Sequence, residues 1–386
     1  MQFQFATATR IIFKTGAIKD IGSMVSEFGR RVFVITGRNP ARIKSILTRL
    51  EKADMKISCF NVKAEPTTGM VIEATRMARE KKCDFVIGIG GGSVLDTGKV
   101  VSALLTNKGA LHDYLEVIGK GKSLEQRPAP YIAVPTTAGT GAEVTRNAVL
   151  SAPEHNVKVS MRSYMMLPEL AIVDPQLTYS MSPEVTASTG LDALTQLMEV
   201  YVSKKSYPLT DLICREGMQL AANSLALAFK DGKNKSAREK MSLASLYGGM
   251  GLANAGLGAA HGFAGPLGGI YQAPHGMICA SLLPFVMQAN VDAISNRLPG
   301  SPVLKRYNEI ARILTGERTA IIQDGIEWVK SLCVKLNIPP LSRFGLRKQE
   351  IPAVVEQARK SSSMQGNPIP LKESELCDIL NKAILE

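Results

Sequence analysis

The first 180 residues alternate short β-branched or aromatic runs with helical patterns, and this alternation admits one kind of sheet. The runs are RVFVIT (31–36), KISCFNV (56–62), DFVIGIG (84–90) and YIAVPTT (131–137), each bounded by turn residues. Between them, Ile43, Ile46, Leu47 and Leu50 share one helical face, and Val71, Ala74, Met77 and Ala78 share another. A strand, a helix of this length and a further strand make a crossover unit, so the strands run parallel and are covered on both faces. VKVSM (157–161) and ELAIVDP (169–175) predict two more strands, the last stopped by Pro175. After about Ser180 the spacing turns helical, as in Leu191-Leu194-Met198, Leu212-Met218-Leu220 and Ile322-Ile326-Val329, and no strand is predicted. The expected organisation is an α/β domain over residues 1–180 and an all-helical domain over 181–386, with ligands in the cleft of such a pair.

Length and composition agree with two ordinary globular domains: 386 residues, 45% apolar and 21% charged, which excludes a disordered chain. Lys and Arg number 46 against 34 Asp and Glu, so the formal charge is 46 − 34 = +12. That balance suits nucleic acid only where basic residues cluster with stacking aromatics. Arg30-Arg31, Lys81-Lys82, Lys204-Lys205 and the interrupted stretch Lys233 to Lys240 do neither, so solvated helix faces and attraction for small anions are expected. The six cysteines are dispersed without a Cys-x-x-Cys pair, and MQFQFATATRIIFKTG lacks the form of an export signal; reduced thiols in a cytoplasmic protein are expected. From Met241 to Val291 there is no Asp, Glu, Lys or Arg, yet ten glycines, Pro266, Pro274, Pro284 and two histidines interrupt the segment. It predicts tightly packed buried helices around something polar, and no membrane span.

Two glycine-rich loops follow predicted strands. Gly88-Ile89-Gly90-Gly91-Gly92-Ser93-Val94-Leu95-Asp96 opens a helix, where backbone N–H groups and the helix N-terminus can cradle a phosphate; a structural turn with Ser93 as cap is the alternative. Pro135-Thr136-Thr137-Ala138-Gly139-Thr140-Gly141 sets several hydroxyl donors near another strand end. Two such loops in one α/β domain point to a dinucleotide held in a variant of the common glycine fingerprint. Past RVFVIT the chain runs Thr36-Gly37-Arg38-Asn39-Pro40 with Arg42 beyond. Gly37 and Arg38 leave space and positive charge for a 2′-phosphate, so NADP(H) is favoured over NAD(H); a plain turn with solvated arginines is the alternative.

The helical half carries few candidate ligands. Asp192 and Gln196 lie four apart on one helical face, and His261 and His275 fall inside the uncharged segment. Buried histidines need polar partners, which either a metal or core hydrogen bonds supply.

GIGGGSVLDTGK, PTTAGTGAEVT, GLDALTQLMEVYVS and GAAHGFAGPLGGIYQAPHG, in this order and spacing over essentially the whole chain, resemble the iron-containing (group III) alcohol dehydrogenase family. The resemblance implies a Rossmann-like α/β domain followed by an all-α domain, in the dehydroquinate synthase-like architecture. It also implies NAD(P)-dependent interconversion of small alcohols with aldehydes or ketones, in a homo-oligomer, commonly a dimer. By position it assigns Gly91, Gly92 and Ser93 to the pyrophosphate and Asp96 to the acidic position of the first motif. Thr136, Thr137 and Thr140 fall on the phosphate and nicotinamide side, Lys158 at the ribose, and Gly37 and Arg38 at the adenosine end. The family's divalent metal sits on an Asp, a His four residues later and two further His, which correspond to Asp192, Gln196, His261 and His275.

Two positions depart from the family pattern. Gln196 replaces a His, offering a harder and weaker donor, so the metal is Fe²⁺ or Zn²⁺ with Mn²⁺ as a further candidate. Gly265 stands where many members carry His beside the nicotinamide, so the proton comes from water or a ribose hydroxyl. The expected chemistry is metal-assisted hydride transfer, with Asp192, His261 and His275 catalytic. The alternative on the same fold is a metal-independent NAD(P)H reductase of an oxoacid, like maleylacetate reductase. A sugar-phosphate cyclase or polyol dehydrogenase and a basic nucleic-acid binder are weaker readings.

Overall fold

A computed structural model describes residues 2–155, 157–271 and 273–385. Its strands are β1 (Arg10–Phe13), β2 (Arg31–Thr36), β3 (Lys56–Asn61), β4 (Phe85–Gly90), β5 (Tyr131–Pro135), β6 (Asn147–Ala152), β7 (Val157–Arg162) and β8 (Leu170–Val173). Helices in the same half are α1 (Ile21–Val25), α2 (Lys44–Glu51), α3 (Thr68–Glu80), α4 (Gly92–Thr106) and α5 (Leu111–Tyr114). The other half holds α6 (Pro183–Val202), α7 (Pro208–Lys230), α8 (Lys235–Ala255), α9 (Ala259–Tyr271), α10 (His275–Arg297), α11 (Pro302–Thr315), α12 (Ile322–Lys335), α13 (Ile351–Arg359) and α14 (Glu373–Leu385). Among the described residues no strand follows Val173. The chain divides into two compact units: Ala6–Thr137 with Gly141–Tyr179, and the N-terminal segment up to Phe5 with Ala138–Thr140 and everything from Ser180.

In the α/β unit, six parallel strands lie in the order β1-β8-β5-β4-β2-β3. Side chains alternate across each strand. Phe33, Ile35 and Val86 join α3 and α4 in one core, while Val32, Val34, Phe85 and Ile87 join α1 and α2 in the other. All of β4 and β5 is buried, as continuous apolar runs in a doubly covered sheet must be. β2 leads outward to β3, while β4 leads the other way to β5 and β8. The loops after β2 and β4 therefore flank the point where strand order reverses, the usual ligand crevice of an open α/β sheet.

Three details differ from expectation, the first being β6 (Asn147–Ala152), a strand that periodicity did not predict. VKVSM is a strand, but it pairs antiparallel with β6 in a separate two-stranded sheet. The physical reason is the connection: the turn Pro153–His155 is far too short for a parallel crossover, which takes a dozen residues or more. β1 is a four-residue edge strand beside β8, too short for its periodicity to register.

The helical unit is built around α6. Ser182 caps it by accepting from the Val185 N–H, Pro183 occupies the first turn, and every residue from Gly190 to Val202 is buried. α7, α8 and α10 pack around it. The uncharged segment forms most of α8, all of α9 and much of α10, so its lack of charge reflects helices passing through core. α10 has the length and hydropathy of a membrane span, yet most of it is buried within the unit.

Candidate functional site

At the C-terminal ends of β2, β4 and β5, the sheet presents the two glycine-rich loops. β4 ends at Gly90, Gly91 is the N-cap of α4 with extended backbone, and no side chain caps this helix. Ser93 therefore lies within the first turn and is not the cap, which leaves the helix start uncapped by a side chain, where its positive end can receive an anion. The Thr136 N–H donates to the Gly90 carbonyl at 2.9 Å, and a Cβ on Gly91 would stand 3.3 Å from Thr137 Oγ1, so the two loops lie against each other. Beyond β2, Gly37 has open surroundings, with Val94 Cγ2 at 3.9 Å from its missing Cβ. Arg38 is exposed and pairs with no acidic group among the described residues.

Other predicted residues are engaged elsewhere. Asp96 accepts from the Val149 N–H at 3.0 Å and lies 3.6 Å from Lys99 Nζ. Lys158 is ion-paired to Glu65 at 2.7 Å. Thr140 belongs with Ala138 and Gly139 to the helical unit, whereas Thr136 and Thr137 stay with the sheet. The sequence reading passed over a buried pair in the same motifs. Lys99 is fully buried, donating to Thr145 Oγ1 at 2.6 Å and the Asn147 carbonyl at 2.8 Å, and burial pushes its ammonium pKa down. Burial raises the Glu143 carboxyl to about 7.

The helical unit gathers the second group. A central helix buried all round must satisfy every polar side chain it carries. On α6, Thr195 Oγ1 donates to the Leu191 carbonyl at 2.7 Å. Glu199 accepts from the N–H groups of Gly258 (2.9 Å) and Ala260 (2.7 Å) and meets His261 Nδ1 at 2.7 Å. Glu199 thus anchors the start of α9 and fixes the His261 tautomer: Nδ1–H donates, and the Nε2 lone pair points away. That Nε2 lies 3.4 Å from Asp192 Oδ1, and His275 Nε2 is 3.8 Å from the same oxygen. α10 begins at His275, and a Cβ on Gly276 would sit 2.2 Å from the Ser188 carbonyl oxygen. Only glycine lets α10 approach the α6 backbone this closely, and the approach carries His275 to Asp192.

Asp192 Oδ1, His261 Nε2 and Gln196 Oε1 are buried and have no hydrogen-bond partner. With His261 neutral, Asp192 Oδ1 and His261 Nε2 are two lone-pair acceptors 3.4 Å apart in a buried pocket, reconciled either by a proton on Nε2 or by a cation between them. The donor set of carboxylate oxygen and imidazole nitrogens suits a divalent transition metal. Burial alone would raise the Asp192 carboxyl, but His261 and His275 hold it below the ordinary carboxylate range. Burial alone would lower both histidines, yet the Cys279 thiol and Asp192 around them hold both raised, with Glu199 adding at His261. The cluster is an electronegative cage. Asp192 and His261 side chains are 3% and 4% exposed and that of His275 is 38%, so the cage opens on the His275 side.

The structure therefore brings Asp192, His261 and His275 together, with Gln196 buried and unpartnered on the same helix as Asp192. It adds two residues that sequence reasoning missed. Glu199 completes an i, i+4, i+7 polar stripe with Asp192 and Gln196 on a buried helix, and that spacing was its signal. Cys279, four residues after His275, has its Sγ within the same 4.8 Å group. Around Gly265 a Cβ would meet nothing within 4 Å, so the position is open. The other two histidines, His112 and His155, form an exposed group with Glu154.

Comparison with known proteins bears on both sites. Residues 8–175 match the profile of the iron-containing alcohol dehydrogenases, and residues 186–384 match that of the Fe-containing alcohol dehydrogenase family, C-terminal. The chain is 32% identical to alcohol dehydrogenase 4 of Saccharomyces cerevisiae over 96% of each sequence. It is 32% identical to 1,3-propanediol dehydrogenase of Klebsiella pneumoniae, over 99% of this chain and 98% of that one. A solved structure of a 1,3-propanediol oxidoreductase superposes with a TM-score of 0.92 at 31% identity, covering 99% of this chain and all of that one.

Proposed function

The chain belongs to the iron-containing alcohol dehydrogenase family, an oxidoreductase family using a nicotinamide cofactor and a divalent metal, and from that premise we propose an NADP(H)-preferring enzyme that interconverts a small alcohol with its aldehyde or ketone. One observation carries the metal-dependent form of this reading: Asp192 Oδ1 and His261 Nε2 face each other buried, unpartnered and 3.4 Å apart, with His275 beside them.

When bound, the metal supplies Lewis acidity toward a substrate oxygen and the nicotinamide supplies or accepts the hydride. Asp192, His261 and His275 hold the metal, and Gln196 occupies the family's fourth ligand position. By accepting from Nδ1, Glu199 turns His261 Nε2 toward the metal and makes it a more basic donor. Gly91, Gly92 and Ser93 bind the pyrophosphate through first-turn N–H groups, and Thr136, Thr137 and Thr140 give hydroxyls to the phosphate and nicotinamide side. Gly37 and Arg38 receive the 2′-phosphate; room at Gly37 and the unpaired guanidinium support this choice. Asp96 braces α4 against the Asn147–Ala152 strand, and Lys158 reaches the ribose only after leaving Glu65. Gly265 offers no titratable group, so the substrate oxygen exchanges its proton with water or a ribose hydroxyl.

We also place the enzyme in the cytoplasm as a homodimer. Six unpaired cysteines support the reducing compartment, and the family resemblance supports the oligomer.

The test is a panel of short primary alcohols, diols and aldehydes assayed with NADPH and NADH, with Fe²⁺, Zn²⁺ and Mn²⁺ added separately. Metal-dependent turnover of an uncharged aldehyde, faster with NADPH, is the expected result. Metal-independent turnover confined to oxoacids would favour the reductase alternative.

A further inference from the structure

We propose that Cys279 is a metal ligand, completing with Asp192, His261 and His275 a centre of one carboxylate, two imidazoles and one thiolate that selects Zn²⁺ or Fe²⁺ over Mn²⁺ and Mg²⁺. The inference rests on the metal-dependent reading above and replaces Gln196 as the fourth ligand.

Geometry is the first support. His275 and Cys279 are four residues apart on α10 and so share a face, and Cys279 Sγ lies 3.8 Å from His275 Nε2. The four ligand atoms all fall within 4.8 Å of one another, with 3.4 Å and 3.8 Å from Asp192 Oδ1 to the two imidazoles. Metal–nitrogen bonds of about 2.0–2.1 Å and a metal–sulfur bond of about 2.3 Å give tetrahedral edges of about 3.3–3.6 Å. The three closest of these separations, 3.4, 3.8 and 3.8 Å, stand within about half an ångström of such edges. Two of its other members, Asp192 Oδ1 and His261 Nε2, are buried and unpartnered, so the thiol is part of a built pocket.

Charge is the second support. A divalent ion beside one carboxylate keeps a net positive charge in the core, where uncompensated charge is costly. The segments of α8, α9 and α10 between Met241 and Val291 contain no acidic side chain, and Glu199 is already committed to two backbone N–H groups and His261. A Cys279 thiolate brings the ion and its four direct ligands to zero charge, whereas the Gln196 carboxamide leaves them positive and balanced only by Glu199 behind His261. Gln196 Oε1 instead lies 3.5 Å from where a Cβ of Gly248 on α8 would be. On metal binding the Sγ–H bond breaks, the proton passes to water and the sulfur–metal bond forms, with no change of oxidation state. Soft thiolate donors favour zinc and iron over the oxygen-seeking ions.

The test uses full-length protein stripped of metal by dialysis against chelator and loaded with Co²⁺. Wild type and Gln196→Ala should show intense visible bands of tetrahedral cobalt together with a near-ultraviolet sulfur-to-cobalt charge-transfer band. Cys279→Ser should lose the near-ultraviolet band and bind Zn²⁺ at least about tenfold more weakly in chelator competition. Unchanged circular dichroism and NADPH binding establish that this variant is folded. Visible bands in wild type without the near-ultraviolet band overturn the ligand assignment, as does a near-ultraviolet band that survives in Cys279→Ser. Absence of every cobalt band from wild type overturns the metal-dependent reading itself, so the two failures are distinguishable.

Discussion

Glu199 shows how one residue can govern a site without reaching its centre. Its two oxygens hold the first N–H groups of the α9 turn and the Nδ1 of His261, so it sets the position and ring orientation of the proposed ligand. Glu199→Gln puts an NH₂ donor against groups that are themselves donors. Zinc affinity should fall about 10–100-fold with kcat, while the NADPH dissociation constant stays at its wild-type value; fluorescence titration and chelator competition measure the two separately. Glu143 makes a second residue-scale prediction. Burial raises its folded-state carboxyl from 4.5 to about 7, so its favourable contribution is complete below pH 4.5 and is lost as pH rises through about 7. Against Glu143→Gln, the parent should lose up to about 3 kcal/mol over that window, read from urea midpoints at successive pH values. A pH-independent gap would contradict the assignment. Single residues were legible where chemistry is scarce. His261 and His275 stood out because few polar residues occupy the uncharged segment, whereas Asp192 was singled out through the family resemblance. Glu199 and Cys279 did not, since a carboxylate at a helix end and a lone cysteine are common in any core.

At the scale of elements, one close approach and one open position shape the proposed sites. Gly276 lets the start of α10 rest on the Ser188 carbonyl of α6. Gly276→Ala places a methyl 2.2 Å from that oxygen and must push the helices apart, at a cost of about 1–3 kcal/mol. Because the shift separates His275 and Cys279 from Asp192, metal affinity should fall along with the melting temperature; a variant that is less stable but binds metal normally would refute the link. After β2, Gly37→Asp is sterically tolerated and puts an acceptor where a ribose 2′-hydroxyl would lie. The kcat/KM ratio of NADPH to NADH should drop at least tenfold in this variant, and an unchanged ratio would place the 2′-phosphate elsewhere. Strand and helix periodicity revealed most elements, including the buried strands β4 and β5. It missed β1, whose four residues span barely two repeats, β6, whose Asn, Ala and Ser residues carry weak strand propensity, and the pairing of β7 with β6, which depends on a connection length and not on periodicity.

For the molecule as a whole, the chain forms two compact units, and the one from Ser180 onward also takes the segment up to Phe5 and Ala138–Thr140. The basic balance of +12 has no concentrated target; Arg38 is the exposed cation that the nucleotide reading uses. In the proposed function each unit carries one half of the chemistry: nucleotide loops on the sheet, metal ligands on the helices. The central claim is that both halves are needed for turnover. The most direct measurement removes the metal with chelator and follows NADPH oxidation by a short aldehyde, with NADPH binding recorded by fluorescence on the same sample. The account predicts that turnover disappears, that NADPH still binds, and that added Zn²⁺ or Fe²⁺ restores the rate. Full turnover by protein shown by elemental analysis to be metal-free would contradict it.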